Sequence, residues 1–131
     1  MNTKKIMMSS AIFLGVFGIT LTFIPDLMLN YLDIIPNKFS ILFTQTLGAL
    51  YFAFGLLNWM SKGSIIGGIY NRPIAISNFS HFFIVGIAFL KELLFNFNSL
   101  VVVWIFGIFY AVYGLLFGLI LFYNPVNSAK K

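Results

Sequence analysis

The chain has no cysteine, one histidine and three acidic residues among its 131 positions. Without cysteine there is no thiol nucleophile, no disulfide and no cysteine-ligated zinc or iron–sulfur centre. With Asp26, Asp33 and Glu92 as the carboxylates and His81 as the imidazole, acid–base chemistry has few groups to draw on. Charged residues make up 8% of the chain, against about 25% in an average soluble domain. A chain this short buries too little of its surface to hide so much apolar area in water. These shortages exclude an ordinary soluble enzyme, a disordered protein and a nucleic-acid-binding domain. The net charge of +5 does not reverse the last exclusion. The basic residues stand mostly in pairs between apolar segments, as interfacial anchors do.

What the chain does have is hydrocarbon: 60% of its residues are hydrophobic and 19% aromatic. A helix crosses a bilayer with about 20 mostly apolar residues. Four segments meet that length, at about 6–24, 39–60, 74–95 and 100–123. In the third, Lys91 and Glu92 ride on the last turns, where the lysine can snorkel to the headgroups. The expected fold class is an all-α membrane protein, an antiparallel bundle of four transmembrane helices forming one domain over 1–131. A β-barrel is excluded because runs such as Ile105-Phe106-Gly107-Ile108-Phe109-Tyr110 do not alternate apolar with polar. The first span follows Lys4-Lys5, as a signal peptide would, but no Ala-x-Ala site follows it, so it is expected to be retained.

Prolines punctuate the spans. Pro25 stops the first, Pro36 precedes the second, Pro73 suits the first turn of the third, and Asn124-Pro125 ends the fourth. The connection from Pro25 to Lys38 is rich in Leu, Ile and Met, so a short amphipathic surface helix is expected there. Lys and Arg set the orientation. Lys4, Lys5, Lys62, Arg72, Lys130 and Lys131 fall on one side, and Lys38 and Lys91 on the other. That places both termini in the cytoplasm of a cell whose plasma membrane holds the chain.

Helices pack in lipid through small residues and buried polar groups. The expected seams are Ala11, Gly15, Gly18 and Thr22 in the first span and Thr44, Gly48, Tyr51, Gly55 and Asn58 in the second. They continue as Asn78, His81, Val85 and Ala88 in the third and Gly107, Ala111, Gly114 and Gly118 in the fourth. The last seam serves either packing within the chain or a homodimer. His81 lies inside the third span, where an ionisable residue is a functional candidate. Its alternatives are a neutral helix tie to Ser77, Asn78 or Asn58, a polar group of a binding site, or a proton or metal ligand. Asn58 and Asn78 fall at similar depth, and Arg72 begins the third span nearby. Asn58, Arg72, Asn78 and His81 are therefore the candidate lining of a small polar pocket at the cytoplasmic leaflet. Donors so arranged suit a lipid phosphate, a quinone carbonyl or a small anion. The plainer alternative is that the asparagines satisfy each other and Arg72 only anchors.

Gly63 and Gly68 have the spacing of a phosphate-binding loop, but Ile69-Tyr70 stand where Lys-Ser/Thr is required, and no strand precedes them. No catalytic residue, metal ligand set or cofactor site is read from the chain. The layout resembles the DoxX-like group of small four-helix membrane proteins across nearly the full length. The likeness rests on Phe23-Ile24-Pro25 leading into a Leu-rich segment and on Gly48-Ala49-x-Tyr51-x-x-x-Gly55 in the second span. Some members of that group resemble subunits of quinone-linked oxidoreductases. The expected function is a multi-pass binding or accessory subunit without catalysis of its own. Its partners are the bilayer, a membrane protein or second copy, and a lipid or quinone. The alternatives are a small transporter or channel for a small or lipophilic solute, and a quinone-linked redox subunit.

Overall fold

The computed structural model describes residues 2–66 and 68–123. The expected stop at Asn124-Pro125, the anchors Lys130 and Lys131, and Gly67 lie outside the described residues. Among the described residues the chain is all helix and turn, with no strand. The helices are α1 (Thr3–Phe23), α2 (Pro25–Tyr31), α3 (Lys38–Ser61), α4 (Arg72–Phe95) and α5 (Val101–Tyr123), with a single 3₁₀ turn, Ile69–Asn71, before α4. Four of them are long and apolar enough to cross a membrane. At 1.5 Å per residue, 21 to 24 residues reach beyond a hydrocarbon core about 30 Å thick. The expected four spans and the short helix after the first are therefore present. Lys4 and Lys5 belong to the first turn of α1 rather than to a tail.

Local chemistry explains the ends. The Asn2 side chain accepts from the Lys5 N–H at 3.2 Å, capping α1. Pro25 opens α2, where its missing N–H has no helical partner to lose. The helix closes on Asp33, which takes the left-handed conformation with φ 57°. The Ile34 N–H then donates to the Leu29 carbonyl at 3.0 Å and the Asp33 N–H to Asn30 at 3.1 Å, a Schellman pattern built without glycine. Before α3, Asn37 accepts from the N–H groups of Phe39 and Ser40 at 3.0 Å each, while the Asn37 N–H donates to Ser40 Oγ at 2.9 Å. This reciprocal capping box marks where the loop after α2 becomes a helix. At the far end of α4 the Asn96 side chain donates to the Glu92 carboxylate at 2.7 Å.

The helices group into two compact units, Met1–Gly63 and Ser64–Lys131. In the first, α1 and α3 are antiparallel: Gly18 meets Gly48 and Phe52, while Gly15 meets Gly55. α2 packs beside them and buries Pro25 and Leu29, leaving Leu27 and Tyr31 exposed. In the second, α4 and α5 are antiparallel, with Gly86 against Tyr110 and Phe82 against Gly114. Here the seam is aromatic. The Phe82 ring stacks on Phe117 at 5.4 Å and lies within 5.4 Å of Tyr110 and 5.2 Å of Tyr113. The buried face of α4 is Ala75, Asn78, Phe82, Gly86 and Leu93; Asn78 lies on it as expected, whereas the expected His81 and Val85 are half-buried and Ala88 is exposed. Gly114 lies against the Phe82 backbone, and the Phe82 ring fits among the rings of Tyr110, Tyr113 and Phe117 on α5. The remaining apolar side chains, among them Val16, Phe43, Ile84 and Leu115, face outward as they do toward lipid.

Candidate functional site

Several polar side chains inside the spans are tied to neighbours. In the first unit Asn58 is fully buried and donates from Nδ2 to Ser10 Oγ at 3.0 Å. The Ser10 hydroxyl in turn donates to the Met7 carbonyl at 3.0 Å. Ser10 was not among the expected candidates. The signal for it is its spacing, three residues after Met7 and four before Leu14, which sets it on the buried face of α1. Toward the other end of the α1–α3 pair, Gln45 donates from Nε2 to the Thr22 carbonyl at 3.3 Å, and the Thr22 hydroxyl donates to the Gly18 carbonyl at 2.8 Å. This bond, too, runs between α1 and α3.

In the second unit Asn78 is fully buried and donates to the Ile74 carbonyl of its own helix at 3.0 Å. His81 is half-buried. Its Nε2 lies 3.3 Å from the Tyr110 hydroxyl on α5, and the two rings meet edge-on at 5.5 Å. Tyr110 itself is buried, and it is a partner that the spacing of polar residues does not reveal. Arg72 is the first residue of α4 and is exposed.

The four expected pocket residues are therefore distributed as follows. Asn58 belongs to the first unit and the other three to α4. On α4, Asn78 and His81 share one side, three residues apart. Arg72 is nine residues before His81, which at about 100° per residue puts it on the opposite face, roughly 13 Å away along the axis. α4 does not bring Arg72 to His81. It aligns Arg72 instead with Phe79, Phe83, Gly86 and Leu90, at intervals of seven, eleven, fourteen and eighteen residues.

That face of α4 borders an apolar groove of about 630 Å³ shared with α5. Gly86, Ala111, Gly114 and Gly118 contribute to its lining. At the end of α3, Lys62 places its ammonium 3.1 Å from the centre of the Trp59 ring, a cation–π contact. Among the described residues no three His, Asp or Glu side chains gather to hold a metal. After α3 the Gly68 N–H donates to the Ile65 carbonyl at 3.0 Å. Compared with family models, curated proteins and solved structures, the chain matches none.

Proposed function

We propose that the chain is a multi-pass binding or accessory protein of the cell membrane, with both termini in the cytoplasm and no chemistry of its own. The observation behind this reading is the use of the intramembrane polar groups. Asn58 bonds Ser10, and Tyr110 bonds His81, each across an antiparallel helix pair. Groups so bonded hold helices in register, and they support a scaffold for binding more than a proton path or a catalytic centre. The orientation follows from six cationic residues on one side against two on the other. The resemblance to DoxX-like proteins belongs to the same proposal and rests on span order and on Gly48, Tyr51 and Gly55.

Purification of the full chain in mild detergent, with mass spectrometry of what accompanies it, tests the reading. A lipid or membrane protein is expected at constant ratio to the chain. In liposomes the purified chain should not speed the escape of small trapped solutes. Solute flux that His81→Ala abolishes would replace this reading with transport, and a bound quinone that cycles with redox state would replace it with a redox subunit.

A further inference from the structure

The α4–α5 groove and Arg72 together describe a ligand. The groove surface is almost wholly hydrocarbon, and part of its lining is the close-lying backbone of Gly86, Gly114 and Gly118. On α4 it runs from Phe79 to Leu90, about 17 Å at 1.5 Å per residue. One leaflet is half of a hydrocarbon core of about 30 Å, or about 15 Å. Measured from Arg72 the groove covers about 10 to 27 Å of α4, so an acyl chain entering from the interface at Arg72 fills its near part, as far as the bilayer centre. Arg72 lies on the same face of α4, two turns beyond Phe79, at the end where α5 finishes with Phe122 and Tyr123. Phe79 and Phe122 meet edge-on there at 5.8 Å. The acidic residue of this unit, Glu92, is at the opposite end of α4. The groove therefore has an apolar body that extends past the bilayer centre and a cation two turns beyond its near end.

We propose that this groove binds an acyl chain of an anionic phospholipid of the surrounding bilayer, with the lipid phosphate against Arg72. This deepens the binding role proposed above, and rests on it, by naming the ligand class. Guanidinium recognises phosphate through paired charge-assisted hydrogen bonds. A cation at the headgroup level adds affinity for anionic lipid. A second copy fits less well. A two-fold axis along the membrane normal through this face would bring two Arg72 side chains to the same level, like charge against like.

The test uses the full chain, delipidated in detergent and titrated with dioleoyl phosphatidylglycerol or dioleoyl phosphatidylcholine, with bound lipid counted by native mass spectrometry. The glycerol lipid should be retained roughly fivefold better than the choline lipid, the effect of about one interfacial cation. Arg72→Gln should remove that preference and leave residual binding of both lipids. Ala111→Phe, which fills the groove, should reduce both. Dihexanoyl phosphatidylglycerol, with the same headgroup and short chains, should bind more weakly than the dioleoyl lipid. Circular dichroism must show both variants to be helical. Equal retention of both lipids by the wild type, or unchanged retention by both folded variants, overturns the proposal. So does efficient disulfide dimerisation of Leu115→Cys in bilayers, which would assign the groove to a second copy. A co-purifying membrane protein together with no lipid preference would defeat the lipid site while leaving the accessory role standing.

Discussion

Gly18 and Gly48 each point the position of a missing Cβ at the other's carbonyl oxygen, at 2.7 and 2.8 Å. The relation is reciprocal, so the two backbones are in direct contact and each Cα hydrogen faces a carbonyl, as in a weak Cα–H···O bond. A Cβ at either position would prevent this approach. It sets the distance between α1 and α3 and brings the polar pairs on either side of it within reach.

The consequence is a graded response to alanine. At Gly18 the new methyl would lie 2.5 Å from the Phe52 nitrogen, and at Gly48 it would lie 2.7 Å from the Thr22 nitrogen. Backbone cannot yield as a flexible side chain does, so the helices must separate. Gly18→Ala and Gly48→Ala should each lower stability by about 1–3 kcal/mol. Gly15 belongs to the same stripe by sequence, yet nothing lies within 4 Å of its Cβ position. Gly15→Ala should be neutral or stabilising by up to about 1 kcal/mol through helix propensity. Thermal unfolding of the three variants in one detergent checks this; equal losses at all three positions would show that α1 and α3 do not meet as described.

The contrast between these glycines shows how far the letters could be read. Ala11, Gly15, Gly18 and Thr22 stand out in an apolar span because lipid gives no reason for small residues, so the first hairpin's seam was visible. Pro25, Pro36 and Pro73 punctuated the spans through backbone chemistry that is local. The second hairpin was harder. A phenylalanine is equally welcome against lipid or against another helix, so nothing in the sequence separates buried Phe82 from half-exposed Phe83. His81 and Tyr110 are 29 residues apart, and their meeting depends on the rotation of both helices, which no single-residue pattern encodes. The separation of Arg72 from His81, by contrast, follows from their nine-residue spacing on one helix and was open to a reading of the sequence.

The bond between Asn58 and Ser10 should be measurable as a coupling energy. Ser10→Ala removes one acceptor, whereas Asn58→Ala also removes a buried amide and leaves a cavity. The serine variant should therefore be the milder. In a double-mutant cycle the pair should couple by about 0.6 kcal/mol and at most about 1.7, the range for polar pairs in membrane bundles. Additive losses would mean that the two side chains do not bond in the folded state.

His81 and Arg72 should separate cleanly. Tyr110→Phe deletes only the hydroxyl that meets His81 Nε2. His81→Ala and Tyr110→Phe should each reduce stability and should couple by about 0.6 kcal/mol. Arg72→Gln alters an exposed residue at a helix start and should leave stability within about 0.5 kcal/mol. Unfolding midpoints of the three single variants and the His81–Tyr110 double variant decide the matter. A stability loss in Arg72→Gln as large as that in His81→Ala would argue that Arg72 is part of the packed interior.

Orientation rests on charge and can be read with single cysteines, because the chain has none to mask the signal. Asn37 is a poor position for the outer probe, since its side chain caps α3. Ile35 is 85% exposed in the same loop and takes a cysteine without losing a hydrogen bond of its side chain. Ser64 is exposed in the turn after α3 and serves as the inner probe. In intact cells an impermeant maleimide should label Ile35→Cys and should reach Ser64→Cys only after the membrane is opened. The two probes bracket α3, so each pattern has one meaning. Labelling of Ser64→Cys alone would invert the orientation and overturn the charge argument. Labelling of both in sealed cells would mean that α3, although 24 residues long, does not cross the membrane.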